Sequence, residues 1–483
     1  MPDTPLPPAD TPSPSSHSGT VTTVEVIPGG PVSGVIQPPG SKSLTNRALI
    51  CAAFAAGTSR LRGALRSEDT DVMIDALRTI GIGIEVSDGG RTITVGSDAP
   101  QTVAKSDDEP DSLFIANSGT TIRFLTAALS AAGGRYRLHG VARMHERPIG
   151  DLVDAIASVI QGRITAESPA GCPPVSIEST GWRDGEIEVA GAVSSQYLSG
   201  LMMAAPIRPR NAGTPRTHTT RIAVRGELVS RPYVDMTCKV LESFGASVKT
   251  ITSGLAAEHS IAFDIAPATR SDGYGYDGID YDIEPDASAA SYFWAAAAIT
   301  GGSVTVTGLT RAAMQGDVGF VDVLKQMGCE VDESETGITV TGAPLRGVDV
   351  DMKEISDTVQ TLAVVALFAN GPTRVRGVAH NRFKETDRIG DLAHELTKLG
   401  AQVTEHDDGL TITPPADPID GLHGAVLQTY QDHRMAMSLS LAGLRIPGVK
   451  ILDPGCTVKT YPEYFADLER LLGRAHHWST PSR

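Results

Sequence analysis

The segment Pro38-Pro39-Gly40-Ser41-Lys42-Ser43-Leu44-Thr45-Asn46-Arg47 holds the first Lys or Arg of the chain and opens into the apolar run Ala48 to Ala56. Prolines and a glycine stop any earlier element, Ser41 or Ser43 can cap, and the alanine-rich run beyond is helical in composition. Such a start presents unpaired backbone N–H groups and the positive end of a helix dipole. Lys42 and Arg47 stand on either side of that first turn. The chemistry this suits is the binding of a phosphate or a carboxylate. An ordinary capped helix with two surface cations looks the same, so recurrence decides.

The pattern recurs in phase. Asn117-Ser118-Gly119-Thr120 with Arg123, Ser194-Ser195-Gln196, Asp286-Ala287-Ser288, Ser356-Asp357-Thr358 and Asp432-His433-Arg434 each stand before an apolar helical run. A second set stands before later helices: His145-Glu146-Arg147-Pro148, Val229-Ser230-Arg231-Pro232-Tyr233, Lys384-Glu385-Thr386-Asp387-Arg388 and Val458-Lys459-Thr460-Tyr461. Ser and Asp at such places need no explanation beyond capping. Lys and Arg are disfavoured there by the dipole, and their repetition calls for an anion. From the residues alone Asp357 reads as an N-cap and Glu385 as a first-turn acid.

The elements that carry these motifs form one unit used six times, with starts roughly 70 to 95 residues apart, too long for a solenoid repeat. An apolar helix, glycine, a strand, a polar loop, a second helix and a strand pair follow one another. In the first copy these are Arg47 to Ala56, Ser59 to Arg62, the loop Ser67 to Asp71, a helix ending at Ile80-Gly81, and Ile93-Thr94-Val95. The clearest later copies begin at Tyr292 and Thr361, with fainter ones near Arg123, Tyr197 and Arg434. Two groups of three predict two α/β domains of similar size, with the helix N-termini converging on the cleft between them.

Length and composition set the frame. The 483 residues carry a formal charge of −16, which argues against nucleic acid as a partner, although converging cations still make a local anion site. No apolar run approaches the ~18 residues of a membrane span. Five scattered cysteines without metal-ligand spacing, Cys51, Cys172, Cys238, Cys329 and Cys456, predict free thiols in a reducing compartment. Residues 1–20, rich in Pro, Ser and Thr and without Lys or Arg, read as a disordered tail rather than a targeting segment, so the expectation is a cytoplasmic protein.

In this order, PPGSKSLTNRAL, NSGTTIRFL, MHERPIGDLVDAI, SSQYL, ELVSRPYVDMT, PDASAASYF, MQGD, KETDR, DHRMAMSLSL and DPGCTVKTYPEYF closely resemble the 5-enolpyruvylshikimate-3-phosphate synthase family, from about Val21 to about Leu472. The resemblance implies the two-domain enolpyruvyltransferase fold, an inside-out α/β barrel of six βαβαββ-type repeats, three per domain. It implies that the chain crosses twice between domains, so that 21–40 with 284–483 form one and 41–283 the other.

It also implies the reaction: transfer of the enolpyruvyl group of phosphoenolpyruvate to the 5-hydroxyl of shikimate 3-phosphate, with release of phosphate and no metal or organic cofactor. The partners expected are these two small anions, which together bring about −5 to −6 charge, with no nucleic acid or membrane and a monomeric protein. Matched motif to motif, Lys42, Ser43, Arg47, Ser194, Ser195, Gln196, Ser230, Asp357, His380 and Lys384 resemble shikimate 3-phosphate ligands, with Tyr233 nearby. Lys42, Gly119, Arg147, Gln196, Arg388, Arg434 and Lys459 resemble the phosphoenolpyruvate site. Asp357 matches the family's base at the target hydroxyl and Glu385 its proton donor. Glyphosate is expected to compete with phosphoenolpyruvate beside Gly119.

The chain departs from the commoner pattern at three places. His380 stands where many members carry Asn, which makes a phosphate contact pH-dependent in principle. Phe124 stands where Pro is frequent, and Ile207 to Arg221 reads as an enlarged surface loop. Two alternatives are a nucleotide-sugar enolpyruvyltransferase and a non-catalytic phosphometabolite sensor. The first relies on a loop cysteine of a kind absent here; the second would be expected to have lost Asp357 or Glu385.

Overall fold

The computed structural model describes residues 22–96, 109–191, 194–209, 219–269 and 275–479. The tail at 1–20 and the middle of the loop expected at 207–221 lie outside them. A helix that is apolar all round has no face to give to water, and here such helices make the interior. Every residue of Ala287–Thr300 (ASAASYFWAAAAIT) is buried, as is every residue of Val359–Ala366, and the more polar His433–Ser440 is buried with them. Their small side chains permit close approach, and hydroxyls tie them together: Ser291 Oγ lies 3.1 Å from Thr361 Oγ1, which lies 3.3 Å from Ser438 Oγ. Strands alternate instead. In Ser303–Thr307 the two valines are buried and the hydroxyl residues half-buried, so one sheet face packs inward and the other is wetted.

Six four-stranded sheets repeat one topology among the described residues. In the plainest copy, strand Glu186–Ala190 leads through helix Ser195–Ala204 to the parallel strand Thr220–Arg225. Helix Arg231–Ser243 and the antiparallel pair Ser247–Ile251 and His259–Ala266 follow. Three sheets borrow a strand from far away. Asp280–Asp282 pairs in parallel with Ser59–Arg62, Gly34–Ile36 with Ser303–Thr307, and Thr23–Glu25 lies antiparallel between Lys450–Leu452 and His477–Ser479. The chain crosses where Gly40 bridges Pro285, with Ser41 N–H on Glu284 O at 2.8 Å and Asp286 N–H on Pro39 O at 2.8 Å. One apolar core gathers residues between Leu44 and Ile283; the other gathers Val24 to Ile36 with residues from Ala287 to Leu468.

Boundaries shift from expectation in the first copy. The helix runs Lys42–Ala53, because Ser41 is the N-cap, its hydroxyl accepting from Leu44 N–H; Ala55–Ala56 leaves the helix to pair with Tyr276–Asp277. Ser67 to Asp71 is no loop but a helix start, capped by Ser67 with Thr70 in a reciprocal box. Among the described residues no helix is long and apolar enough to cross a membrane.

Candidate active site

Polar helix starts are where backbone donors go unpaired, and the fold aims several at one place. A cavity of about 380 Å³ is lined by residues at the starts of helices Lys42–Ala53, Gly119–Ala132, Ser195–Ala204, Arg231–Ser243 and His433–Ser440, together with Asp357 and the 379–388 loop. Ser118, Ser194 and Asp432 cap three of these helices with their side chains, accepting from Thr121, Gln196 and Arg434 N–H. Seven Lys or Arg side chains face three carboxylates across the cavity. The local balance is therefore the reverse of the chain's.

Three of the cations have only neutral partners. Arg47, 2% exposed, donates to Thr237 Oγ1 at 2.8 Å, Ser43 O at 2.9 Å and Ser199 Oγ at 3.2 Å, and lies over the Phe124 ring at 5.3 Å. Phe124 is fully buried beneath Arg47, which it supports. Arg123 donates to Gln196 Oε1 at 2.6 Å and packs over Tyr197; Arg147 donates to Asn117 O at 3.1 Å. None of the three forms an ion pair among the described residues, and Nε of both Arg123 and Arg147 is buried without a hydrogen-bond partner there. Burial pushes Arg47 and Arg147 down to about 10, and for Arg147 the charge of the nearby Glu385 offsets only part of that cost. Burying a lone guanidinium costs several kcal/mol. An anion in the cavity removes that cost.

The other cations surround two acids. Asp357 meets Arg434 at 2.7 Å, Arg388 at 3.3 Å and Lys384 at 3.7 Å. Glu385 meets Arg388 at 2.7 Å and Lys459 at 3.3 Å, while Asp432 fixes Arg388 from behind at 2.7 Å. Burial by itself raises both acids. Around Asp357, Arg434, Lys384, Arg388 and Lys42 overcome it; around Glu385, Arg388, Lys459 and Arg147 do, so both carboxyls are held far below the usual range. Their expected helix-start roles do not hold. Asp357 lies in the 3₁₀ turn Ser356–Thr358, whose following helix has no side-chain cap, and Glu385 precedes helix Gly390–Lys398 by a full turn.

Every residue expected from the sequence faces this cavity except Lys459, which stands behind Glu385 and reaches Asn117 O at 3.3 Å. Lys42 also binds Asp69, at 3.2 Å. His380 Nε2 sits 3.0 Å from Ser356 Oγ and 3.5 Å from Ser230 Oγ, joining the two cores, and burial with the Lys384 charge pushes it down to about 4. At neutral pH it is a neutral hydrogen-bonding group, so the expected pH sensitivity falls in the acid range. Tyr233 also crosses, its hydroxyl donating to Asp357 Oδ2 at 2.9 Å.

Sequence reasoning missed Asp69, Thr120, Pro148, Tyr197, Val229, Ala379 and Phe383 as lining residues, and did not count Arg123 among the ligands. Arg123 had a signal, its phase with Arg47; the apolar wall residues had none. No cysteine lines the cavity, and among the described residues no group of three or more His, Cys, Asp or Glu could hold a metal ion.

With this geometry, residues 26–468 match the family model described as EPSP synthase (3-phosphoshikimate 1-carboxyvinyltransferase). The 3-phosphoshikimate 1-carboxyvinyltransferase of Erwinia tasmaniensis is 44% identical, over 91% of this chain and 96% of its own. The chloroplastic 3-phosphoshikimate 1-carboxyvinyltransferase 1 of Nicotiana tabacum is 44% identical, over 91% of this chain and 83% of its own. The solved EPSP synthase of Acinetobacter baumannii superposes with a TM-score of 0.75 at 25% identity, covering 95% of this chain and all of that one. The enolpyruvyl transferase NikO of Streptomyces tendae, at 19% identity and a TM-score of 0.72, shares the fold. A match spanning so much of the sequence, at such identity and with the same architecture, places the chain in the EPSP synthase (3-phosphoshikimate 1-carboxyvinyltransferase) family.

Proposed function

We propose that the cavity between the two cores is where this chain holds phosphoenolpyruvate and shikimate 3-phosphate together. The chain transfers the enolpyruvyl group of the first to the 5-hydroxyl of the second and releases phosphate, a step of the shikimate pathway. The observation that carries the site assignment is the trio Arg47, Arg123 and Arg147, buried in one cavity with no ion-pair partner among the described residues. Two substrates, each with a phosphate and a carboxylate, supply the missing charge. Arginine suits the task because its fork donates two parallel hydrogen bonds to either group.

Lys42, Ser43, Arg47, Ser194, Ser195, Gln196, Ser230, His380 and Lys384 form the shikimate 3-phosphate side of this reading. Lys42, Gly119, Arg123, Arg147, Gln196, Arg388, Arg434 and, from behind, Lys459 form the phosphoenolpyruvate side. Asp357 takes the proton of the 5-hydroxyl as its oxygen bonds to C2 of phosphoenolpyruvate, and Glu385 gives a proton to C3. The tetrahedral adduct then returns a proton from its new methyl group to the Glu385 carboxylate as the bond from C2 to the phosphate oxygen breaks, and the departing phosphate takes up a proton from water. Glu385 is ionised while its cations face it alone. Substrate anions spread over Arg388, Lys459 and Arg147 relax that hold and raise its proton affinity toward that of an acid.

The two cores are the two domains in this reading, 21–40 with 284–483 and 41–283, and substrate draws them together. The test is phosphate release from purified protein given both substrates. Release with both and none with either alone, together with a raised KM for phosphoenolpyruvate in Arg147→Lys, supports the assignment. An Arg147→Lys enzyme with unchanged constants overturns it. The protein is also read as a cytoplasmic monomer, which light scattering and cell fractionation check.

A further inference from the structure

One buried acid beside the cavity has no part in that chemistry. Asp317 lies in the 3₁₀ turn Gly316–Gly319 and is 4% exposed. Its Oδ2 accepts from Ser288 Oγ and from the Tyr233 hydroxyl, the latter at 3.3 Å. The same hydroxyl lies 2.9 Å from Asp357 Oδ2, so a single phenol stands between two carboxylates. Asp317 Oδ1 is buried without a hydrogen-bond partner among the described residues. A second cavity of about 10 Å³, lined by Asp317 with Ser41, Ser43 and Asp286, has room for about one water.

We propose that Asp317 is the proton acceptor behind Asp357, and that Tyr233 relays the proton between them. This rests on Asp357 being the base of the transfer. When Asp357 takes the hydroxyl proton it must lose it again before the next turnover. The proton at Asp357 Oδ2 passes to the Tyr233 phenol oxygen as the phenol proton passes to the Asp317 carboxylate. Asp357 is then ionised, Tyr233 neutral and Asp317 neutral, and Asp317 releases the proton through the small cavity.

Two observations suit Asp317 to this part. The charged and titratable groups that face it are Asp357, Tyr233, Arg434 and Asp286. Burial and then Asp357 raise it to about 7, against the lowering pull of Ser288 and Arg434, so it takes up and returns a proton near neutrality. Tyr233 sits on helix Arg231–Ser243, packed against the first core, whereas Asp317 and Asp357 belong to the segments of the second. The relay therefore exists only while the cleft is closed, which ties proton release to the closed state.

The test is the pH profile of kcat. The wild type should rise through an inflection near 7, because Asp317 must be ionised to receive the proton. Asp317→Asn should remove that inflection and lower kcat about tenfold to a hundredfold, less than the loss of an acid or base itself, with both KM values little changed. Tyr233→Phe should also remove the inflection, and the double variant should be no slower than the slower single one, since the two act as a unit. Ser288→Ala, which leaves the carboxylate in place, should move the inflection to higher pH. An Asp317→Asn enzyme that is slower but keeps the inflection overturns the relay, as does an unmoved inflection in Ser288→Ala. If Asp357→Asn turns over normally, the base assignment fails and the relay with it. If Asp357→Asn is inactive and Asp317→Asn unaffected, the relay alone fails.

Discussion

Replacing Gly119 by alanine probes the cavity at a point where the structure supplies the distances. A Cβ there would stand 2.4 Å from Arg147 Nη2, 2.8 Å from Arg147 Cζ and 2.9 Å from Arg123 Nη1. Ordinary contact between such atoms is about 3.5–4.0 Å, so the Arg147 guanidinium must retreat by roughly 1 Å. Its hydrogen bonds to Asn117 O and Oδ1, at 3.1 and 3.3 Å, hold it in place now and would be lost or bent. A charge-assisted hydrogen bond is worth about 1.5–3 kcal/mol. Losing one such bond to phosphoenolpyruvate through a displaced Arg147 raises its KM roughly 10- to 150-fold. Shikimate 3-phosphate affinity, measured by calorimetry, falls much less, because Arg47, Ser194 and Ser195 are untouched and only Gln196 is disturbed, through its 2.6 Å bond from Arg123. Thermal stability also holds, since alanine gains up to about 1 kcal/mol over glycine in a helix. Glyphosate, with a phosphonate and a carboxylate for the same arginines, should inhibit the wild type competitively with phosphoenolpyruvate and the alanine variant much less. Steady-state kinetics at several phosphoenolpyruvate concentrations read both effects. An alanine variant with wild-type KM and inhibition would refute the idea that Arg147 and Arg123 form the anion pocket beside Gly119.

Other perturbations test separate parts of the site. Lys42→Ala should lower activity more than tenfold and also lower the melting temperature, because Asp69 is left buried without its 3.2 Å partner; an unchanged melting temperature would deny that pairing. Asp357→Ala and Glu385→Ala should cut turnover by about 10²–10⁴ while shikimate 3-phosphate still binds, since each frees cations that the acid now occupies; lost binding with normal turnover at saturation would make their roles structural. His380 titrates near 4 when folded against about 6.5 when unfolded, so only the unfolded chain binds its proton between those values. Its contribution to stability is complete above about pH 6.5 and declines as pH falls toward 4, so His380→Asn should flatten the wild-type loss over that range, read as melting temperature against pH. Small-angle scattering should report a more compact particle with shikimate 3-phosphate bound, and an identical radius with and without it would count against closure on substrate.

Much of this was legible in the sequence because it rests on local physics. Caps, dipoles and cations are set within a few residues, so the starts at Ser41, Ser118, Ser194 and Asp432 were readable, and their phase revealed six units and a shared cleft. Alternating strands and all-apolar helices such as Ala287–Thr300 likewise declare which faces are dry.

Tertiary structure alone decided what depends on distant groups. That Gly34–Ile36 completes the sheet of Ser303–Thr307, and Asp280–Asp282 that of Ser59–Arg62, follows from register between strands far apart in the chain. In the sequence the Lys and Arg residues at the helix starts stand alike, with nothing to tell a paired cation from an unpaired one. Only the fold separates Arg388 and Arg434, already matched by Asp432, Glu385 and Asp357, from Arg47, Arg123 and Arg147, which have neutral partners. Asp357 and Glu385 looked like ordinary helix-start acids because capping is local, whereas their proton affinities are set by charges brought in from the 42, 147, 434 and 459 regions. Asp317 gave no signal beyond its place in a short motif, since burial and the facing Asp357, which raise its proton affinity, exist only once the chain is folded.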